Sequence, residues 1–179
     1  MKLLFISLGC DKNLVDSEYM IGMLANDGIE MTDDETQADI IIVNSCCFIG
    51  DAKEESINTI LEMAQYKETG KCKSLIVTGC LAQRYKDEIF KEIPEVDAIL
   101  GTNSYDTIVE AVNETLEKHR YSNLHTLEGL PSIKTKRIVT TGGHFAYLKI
   151  AEGCNKNLHL LCHSFCQRPL QKCADGGFD

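Results

Sequence analysis

The sequence predicts an α/β fold, a three-layer parallel sheet with helices on both faces. Two observations carry that expectation. Short β-rich runs alternate with segments of helical periodicity over the first 120 residues, the pattern that right-handed β-α-β crossovers leave in a sequence. Among them, Ile40 to Val43 is an unbroken β-branched run, as a strand covered on both faces requires.

The elements follow in order. Leu3 to Leu8 reads as a strand, and Asn13 to Asn26 as a helix with Leu14, Met20, Ile21 and Leu24 near helical spacing. After the Ile40–Val43 strand, Gly50 to Tyr66 sets Ile57, Ile60, Leu61 and Ala64 along one helical face, with acidic residues near its start. Ser74 to Val77 is the next strand, and Leu81 to Ile93 a helix that stops before Pro94. Ala98 to Leu100 reads as a short strand, and Asp106 to His119 as a helix presenting Ile108, Val109, Val112 and Leu116. Residues 1–120 therefore form one α/β domain. Residues 121–136 lack periodicity and contain Gly129 and Pro131, so they read as a linker. Ile138–Thr140 and Phe145–Ile150 are expected to be strands, the second running into Glu152-Gly153-Cys154. Beyond Asn157 no regular pattern continues.

Composition narrows the class. In 179 residues, 44% are hydrophobic and 25% charged, which excludes collagen-like, disordered and coiled-coil chains. No apolar run approaches the ~18 residues of a membrane span. The opening Met1 to Leu8 is too short and too soon polar for a signal peptide, so the cytoplasm is the expected compartment. With 18 basic against 27 acidic side chains, the net charge of −9 argues against a general nucleic-acid or anionic-membrane binder. The charge changes sign along the chain. Residues 1–132 hold 11 basic and 24 acidic side chains, residues 133–179 hold 7 and 3, and the reversal suggests a boundary.

Nine cysteines are many for a chain in a reducing compartment, where metal binding or catalysis is a better reading than a disulfide framework. Three share one context: each follows a predicted strand, in Leu8-Gly9-Cys10, Asn44-Ser45-Cys46 and Thr78-Gly79-Cys80. In an open parallel sheet all carboxyl ends lie on one edge, where ligands bind. Gly9 and Gly79 allow close backbone approach, and helix N-termini are expected to lower the thiol pKa values. Soft thiolates gathered there suit an iron–sulfur cluster or zinc, and three thiols packed at tight strand ends remain the alternative. Three ligands on a four-iron cluster would leave one iron open, whereas structural zinc prefers four closed positions. Cys47 could stand in for Cys46, and Cys72, in a polar turn between Lys71 and Lys73, has no evident role. A phosphate-binding domain of flavodoxin type would use the same edge, but neither glycine belongs to a GxGxxG run. His119 and His125 read as surface residues and His144 as a turn residue.

At these residues the chain resembles a known family. The run Ser7-Leu8-Gly9-Cys10-Asp11-Lys12-Asn13-Leu14-Val15-Asp16-Ser17-Glu18 is similar to the opening signature of the radical-SAM methylthiotransferases. Asn44-Ser45-Cys46-Cys47-Phe48-Ile49 resembles their second motif and Val77-Thr78-Gly79-Cys80-Leu81 their third. The likeness covers residues 1–157. It implies that Cys10, Cys46 and Cys80 hold an auxiliary [4Fe–4S] cluster that handles sulfur. The segment Lys12 to Glu18 resembles the branch acting on the β-carbon of an aspartate in a small-subunit ribosomal protein. A tRNA-modifying relative, or a stand-alone iron–sulfur module, is the alternative.

The same resemblance places the start of a radical-SAM domain at 137–157, with Tyr147 to Cys154 as its first strand and Cys154 as the first ligand of a second [4Fe–4S] cluster that binds S-adenosylmethionine. The family's C-x3-C-x2-C motif then fails, because Leu158 and Leu161 stand where cysteines are expected. Back-translation offers a reason. With TTG CAC TTA TTG TGT CAT TCC as codons for Leu158 to Ser164, reading from the second base yields Cys-Thr-Tyr-Cys-Val-Ile-Pro, the missing continuation. A one-base insertion near the codons for Asn155-Lys156-Asn157 would make residues 158–179 out-of-frame and disordered. The competing reading of that tail is a zinc knot built from His159, Cys162, His163, Cys166 and Cys173. The resemblance supplies no catalytic residue within this chain, which lacks most of the barrel and is expected to be inactive alone.

Overall fold

The computed structural model describes residues 1–125, 136–152 and 171–172. Strands β1 (Lys2–Ser7), β2 (Glu30–Met31), β3 (Ile40–Ser45), β4 (Ser74–Gly79), β5 (Ala98–Leu100) and β6 (Tyr121–Asn123) form one sheet in the order β2-β1-β3-β4-β5-β6, every pairing parallel. Helices α1 (Asp11–Asn26) and α6 (Ile108–Leu116) cover one face. Helices α2 (Gly50–Ala64), α4 (Cys80–Arg84) and α5 (Lys86–Glu92) cover the other, and the single turn α3 (Tyr66–Thr69) extends α2. The α/β class and the three layers are those the sequence predicts.

Strand alternation sorts the core into two halves. Leu4, Ile41, Val43, Leu75, Val77 and Ile99 pack with Ile60, Met63 and Leu81 beneath α2, α4 and α5. Their neighbours Leu3, Ile40, Ile42, Ile76 and Leu100 pack with Met20, Leu24, Ile108 and Val112 beneath α1 and α6. Ile40 to Val43 is inaccessible to solvent, as its β-branched run predicts. Each such side chain contributes about 1.5–3 kcal/mol by leaving water, so the central strands hold the sheet in register. That register runs from Leu3↔Ile40 to Ser7↔Asn44 and from Ile40↔Ser74 to Ser45↔Gly79, so β1, β3 and β4 end side by side.

Four features differ from the sequence reading. The helix expected at Leu81–Ile93 is two, broken at Tyr85 (φ −125°, ψ 32°), whose ring lies 4.1 Å beneath the Lys53 ammonium. The helix expected from Asp106 opens instead as a 3-10 turn at Tyr105–Thr107. The edge strands β2 and β6 were not foreseen, and β6 carries the sheet three residues past position 120. Finally, 138–140 and 145–150 are extended but not strands, because their backbone partners lie on α1 rather than on another strand: the Ile138 N–H donates to the Glu18 carbonyl (3.1 Å).

β7 (Ala151–Glu152) pairs antiparallel with β8 (Gln171–Lys172). Of the tail read as out-of-frame, 158–179, only 171–172 fall among the described residues. Cys154 and the candidate zinc residues His159, Cys162, His163, Cys166 and Cys173 lie outside them, as does most of the 121–136 linker. Among the described residues no helix is long and apolar enough to cross a membrane.

Candidate functional site

The order β2-β1-β3 reverses direction between β1 and β3, since the chain steps outward from β1 to β2 and then returns to the far side of β1. At such a switch point the loops leave the carboxyl ends in opposite directions and open a crevice, where ligands of this sheet type bind. Cys10 follows β1 and Cys46 follows β3, so these two thiols flank the switch point; Cys80 follows the adjacent β4.

Two glycines bring the three loops together. Gly9 has φ +107°, and a Cβ there would stand 2.8 Å from Cys46 Cβ and 3.1 Å from Cys46 Sγ, so the Cys46 thiol rests on the backbone that carries Cys10. Gly79 has φ +94°, and its missing Cβ leaves room for the Asn44 side-chain oxygen and the Ser45 carbonyl, setting the turn before Cys80 against the end of β3. Only glycine combines that conformation with that clearance.

Beneath the thiols lies a polar network the sequence reading did not assign. Buried Asn13 donates from Nδ2 to the carbonyls of Leu8 and Ser45, both at 3.2 Å, tying the end of β1 to that of β3. Asn44 donates to the Asn13 carbonyl and to Ser17 Oγ, both at 2.9 Å. Ser45 Oγ donates to the Thr78 carbonyl at 2.6 Å, joining β3 to β4. Ser56 Oγ accepts from the Cys46 N–H and donates to the Cys46 carbonyl, each at 2.9 Å, which holds that residue's backbone from the α2 side. The available signal was position: each lies within a few residues of a strand-end cysteine or on the first turns of the following helix.

The thiols differ in exposure. Cys10 is open to solvent, Cys80 half-buried, and Cys46 and Cys47 buried. Burial pushes the Cys46 thiol up, and neighbouring Cys10 and Cys47 push it further. Burial likewise raises Cys80 to about 12, with Cys47, Cys46 and Cys10 adding to the rise and Lys12 opposing it. The expectation of lowered thiol pKa at helix N-termini is therefore wrong for these two, because desolvation of the thiolate outweighs the helix dipole. Their mutual influence shows that the four thiols share one neighbourhood. Cys72 is not in an exposed turn as expected but buried, pushed up to about 11 by burial, and it precedes β4 at the opposite edge of the sheet. His119, His125 and His144 are exposed.

Among the described residues, no three Cys, His, Asp or Glu side chains stand as a ready-made group for a metal ion. A single ion such as zinc needs all its ligands on one atom, and that reading finds no support here. A four-iron cluster takes each thiolate on a different iron, so its ligands stand further apart around a larger body. The donor set at this edge, soft thiols with glycine backbone cleared around them, fits such a cluster. Bound thiolates must lose their protons, so raised pKa values at Cys46 and Cys80 make loading release protons.

Comparison with known proteins agrees with this placement. Residues 2–101 match the model described as uncharacterized protein family UPF0004. A curated relative from Lachnoclostridium phytofermentans, called ribosomal protein uS12 methylthiotransferase RimO, is 62% identical over 157 residues, covering 88% of this chain and 36% of that protein. Proteins of the same name from Desulforamulus reducens (54% over 151 residues; 84% and 34%) and Clostridioides difficile (50% over 157 residues; 88% and 35%) are similar. The chain thus spans about a third of the length of these relatives, their N-terminal part. With the model matched from β1 to just past β5, this chain belongs to the UPF0004 family.

Proposed function

We propose that this chain is the N-terminal part of a radical-SAM methylthiotransferase, and that Cys10, Cys46 and Cys80 hold its auxiliary [4Fe–4S] cluster. The observation that carries this reading is the convergence of three strand-end cysteines beside the switch point, two of their loops interlocked through positive-φ glycines. When bound, such a cluster offers an iron with a vacant position, suited to sulfur. The chain's own residues have defined tasks. Asn13, Asn44 and Ser45 fix the three loops relative to one another, Ser56 fixes the Cys46 backbone, and Lys12 contributes positive charge beside Cys80.

The relatives' name points to uS12 as substrate, and the β-carbon of an aspartate in that small-subunit protein is the proposed acceptor. In the intact enzyme, S-adenosylmethionine and a second [4Fe–4S] cluster belong to the barrel that begins near residue 137, with Cys154 as a ligand. Place of work is the cytoplasm, where ribosomal proteins are met. This polypeptide alone carries the sulfur-side platform without the barrel, and is inactive alone.

Anaerobic reconstitution of the chain with iron and sulfide tests the site. About four irons per chain, lost on Cys46→Ala, are expected for one cubane. Iron-free protein of unchanged stability would identify the thiols as core packing. Incubation with uS12 and S-adenosylmethionine under reduction should give no methylthio product, and any product overturns the inactivity. Resequencing the gene across the codons for Asn155 to Asn157 tests the insertion; an uninterrupted frame removes it.

A further inference from the structure

The geometry points to α1 as a docking track for residues 136–150, with Gly22, Glu18 and Asp16 as positioning residues that lead the chain out of the sheet domain beside its cysteine edge. Gly22 lies inside a sixteen-residue helix, where glycine costs stability relative to alanine. A Cβ there would collide with the Lys136 carbonyl and press on Arg137 Cα at 3.3 Å and Ile138 N at 3.4 Å. The glycine thus makes room for a strap of backbone.

One turn nearer the N-terminus, Glu18 receives that strap. Its carbonyl accepts from the Ile138 N–H at 3.1 Å, and its carboxylate accepts from the Thr140 N–H at 2.7 Å and the Thr140 hydroxyl at 3.1 Å. The Arg137 guanidinium stands 3.7 Å from the second carboxylate oxygen. The Glu18 side chain is 2% exposed. Further along, Asp16 pairs with Lys149, both side chains nearly buried, and the Lys149 ammonium lies 5.3 Å from the Tyr105 ring centroid. The Tyr147 hydroxyl bonds to Asp11, which raises its pKa. Asp11 adjoins Cys10, the residue that caps α1.

Two nearly buried carboxylates on one helix are tolerable only when paired, because an unpaired buried charge loses its hydration without return. Here their basic and N–H partners come from the strap. The contacts run from Gly22 toward Asp11, so the chain travels down the helix toward Cys10. Resting on the proposed function, the consequence is that α1 sets where the following domain hangs relative to the sulfur-handling edge.

Hydrogen exchange read by mass spectrometry on the chain as it stands tests the track. In the parent protein, 136–140 should be protected. Gly22→Ala, Glu18→Gln and Lys149→Met should each speed exchange in the strap by about tenfold or more, leaving Ile40–Ser45 unchanged. Gly22→Ala is decisive in sign, since without a docked strap it would only strengthen the helix. Lys149→Arg, which keeps the charge, should restore protection that Lys149→Met removes. Because Lys149 belongs to the strap, its variants keep the test valid if a helix substitution unfolds the domain. An unprotected strap in the parent, or unchanged exchange in all variants, overturns the proposal. Iron content is read separately, so failure of the track and failure of the cluster are distinguishable.

Discussion

The two edges of the sheet are joined by different chemistry. At the amino ends the strands are tied by charge: Asp39 before β3 accepts from the Lys2 N–H (3.0 Å) and Lys73 Nζ (2.9 Å). Asp97 before β5 accepts from Lys67 Nζ (2.7 Å) and the Leu75 N–H (2.8 Å). At the carboxyl ends, Asn13, Asn44 and Ser45 do the same work with neutral amides and hydroxyls, beside two glycines at positive φ. Ion pairs at a surface are screened and adaptable, whereas buried neutral networks are rigid and leave the local charge to be set by what binds. The difference marks the carboxyl edge as a site and the amino edge as a seam.

The largest break in that contrast should come from Gly79→Ala. A side chain at φ +94° is strained, and its Cβ would enter the Asn44 side chain and the Ser45 backbone. The combined cost is expected to be at least about 3 kcal/mol in urea unfolding. A loss under about 1 kcal/mol would mean that the turn relaxes freely and that Cys80 is not held against β3.

Asn13→Ala should cost somewhat less, about 1–3 kcal/mol, because it leaves the Leu8 and Ser45 carbonyls without their donor. Reconstituted iron should fall with it if those carbonyls hold the cysteine loops in place. Stability lost with iron content intact would assign Asn13 to the fold alone.

Such residues show what sequence patterning conveys. The central strands were legible because Ile40–Val43 and Ser74–Val77 are apolar on both faces, and the cysteines were legible because each follows such a run. Glu30–Met31 and Tyr121–Asn123 were not, since two- or three-residue edge strands have too few positions to show a period. Asn13 and Asn44 read as ordinary polar residues beside loops; their meaning lies in partners 31 and 32 positions away. The thiol pKa direction was misread for a related reason: helix starts are visible in sequence, burial is not.

Cys72 sharpens the contrast from the seam side. Burial raises its thiol from 9.0 to about 11 without any part in the rim. A raised folded-state pKa stabilises the fold below the unfolded value and loses that contribution as pH climbs, here between about 9 and 11. Relative to Cys72→Ala, the parent protein should therefore lose up to about 2 kcal/mol across that window. Parallel stability profiles of the two proteins through the alkaline range would show that the thiolate finds solvent or a cation.

The smallest effect is expected from Asp39→Asn, and it separates the two edges most directly. Lys73 and the Lys2 backbone N–H, both hydrogen-bonded to this carboxylate, hold its pKa below the usual value of 3.8. Its contribution is therefore present above about pH 4 and is lost as pH falls through the lowered folded-state value. The Lys73 side chain is 63% exposed, so the pair is screened and the loss at neutral pH should stay within about 1 kcal/mol. Added salt should shrink it further, since exposed charges are screened over ~8 Å at physiological ionic strength. The cost of Asn13→Ala, which involves no charge, should not respond to salt. A salt-insensitive loss at Asp39 of the same size as that at Asn13 would abolish the distinction between seam and site, because both edges would then be held by buried hydrogen bonds of one kind.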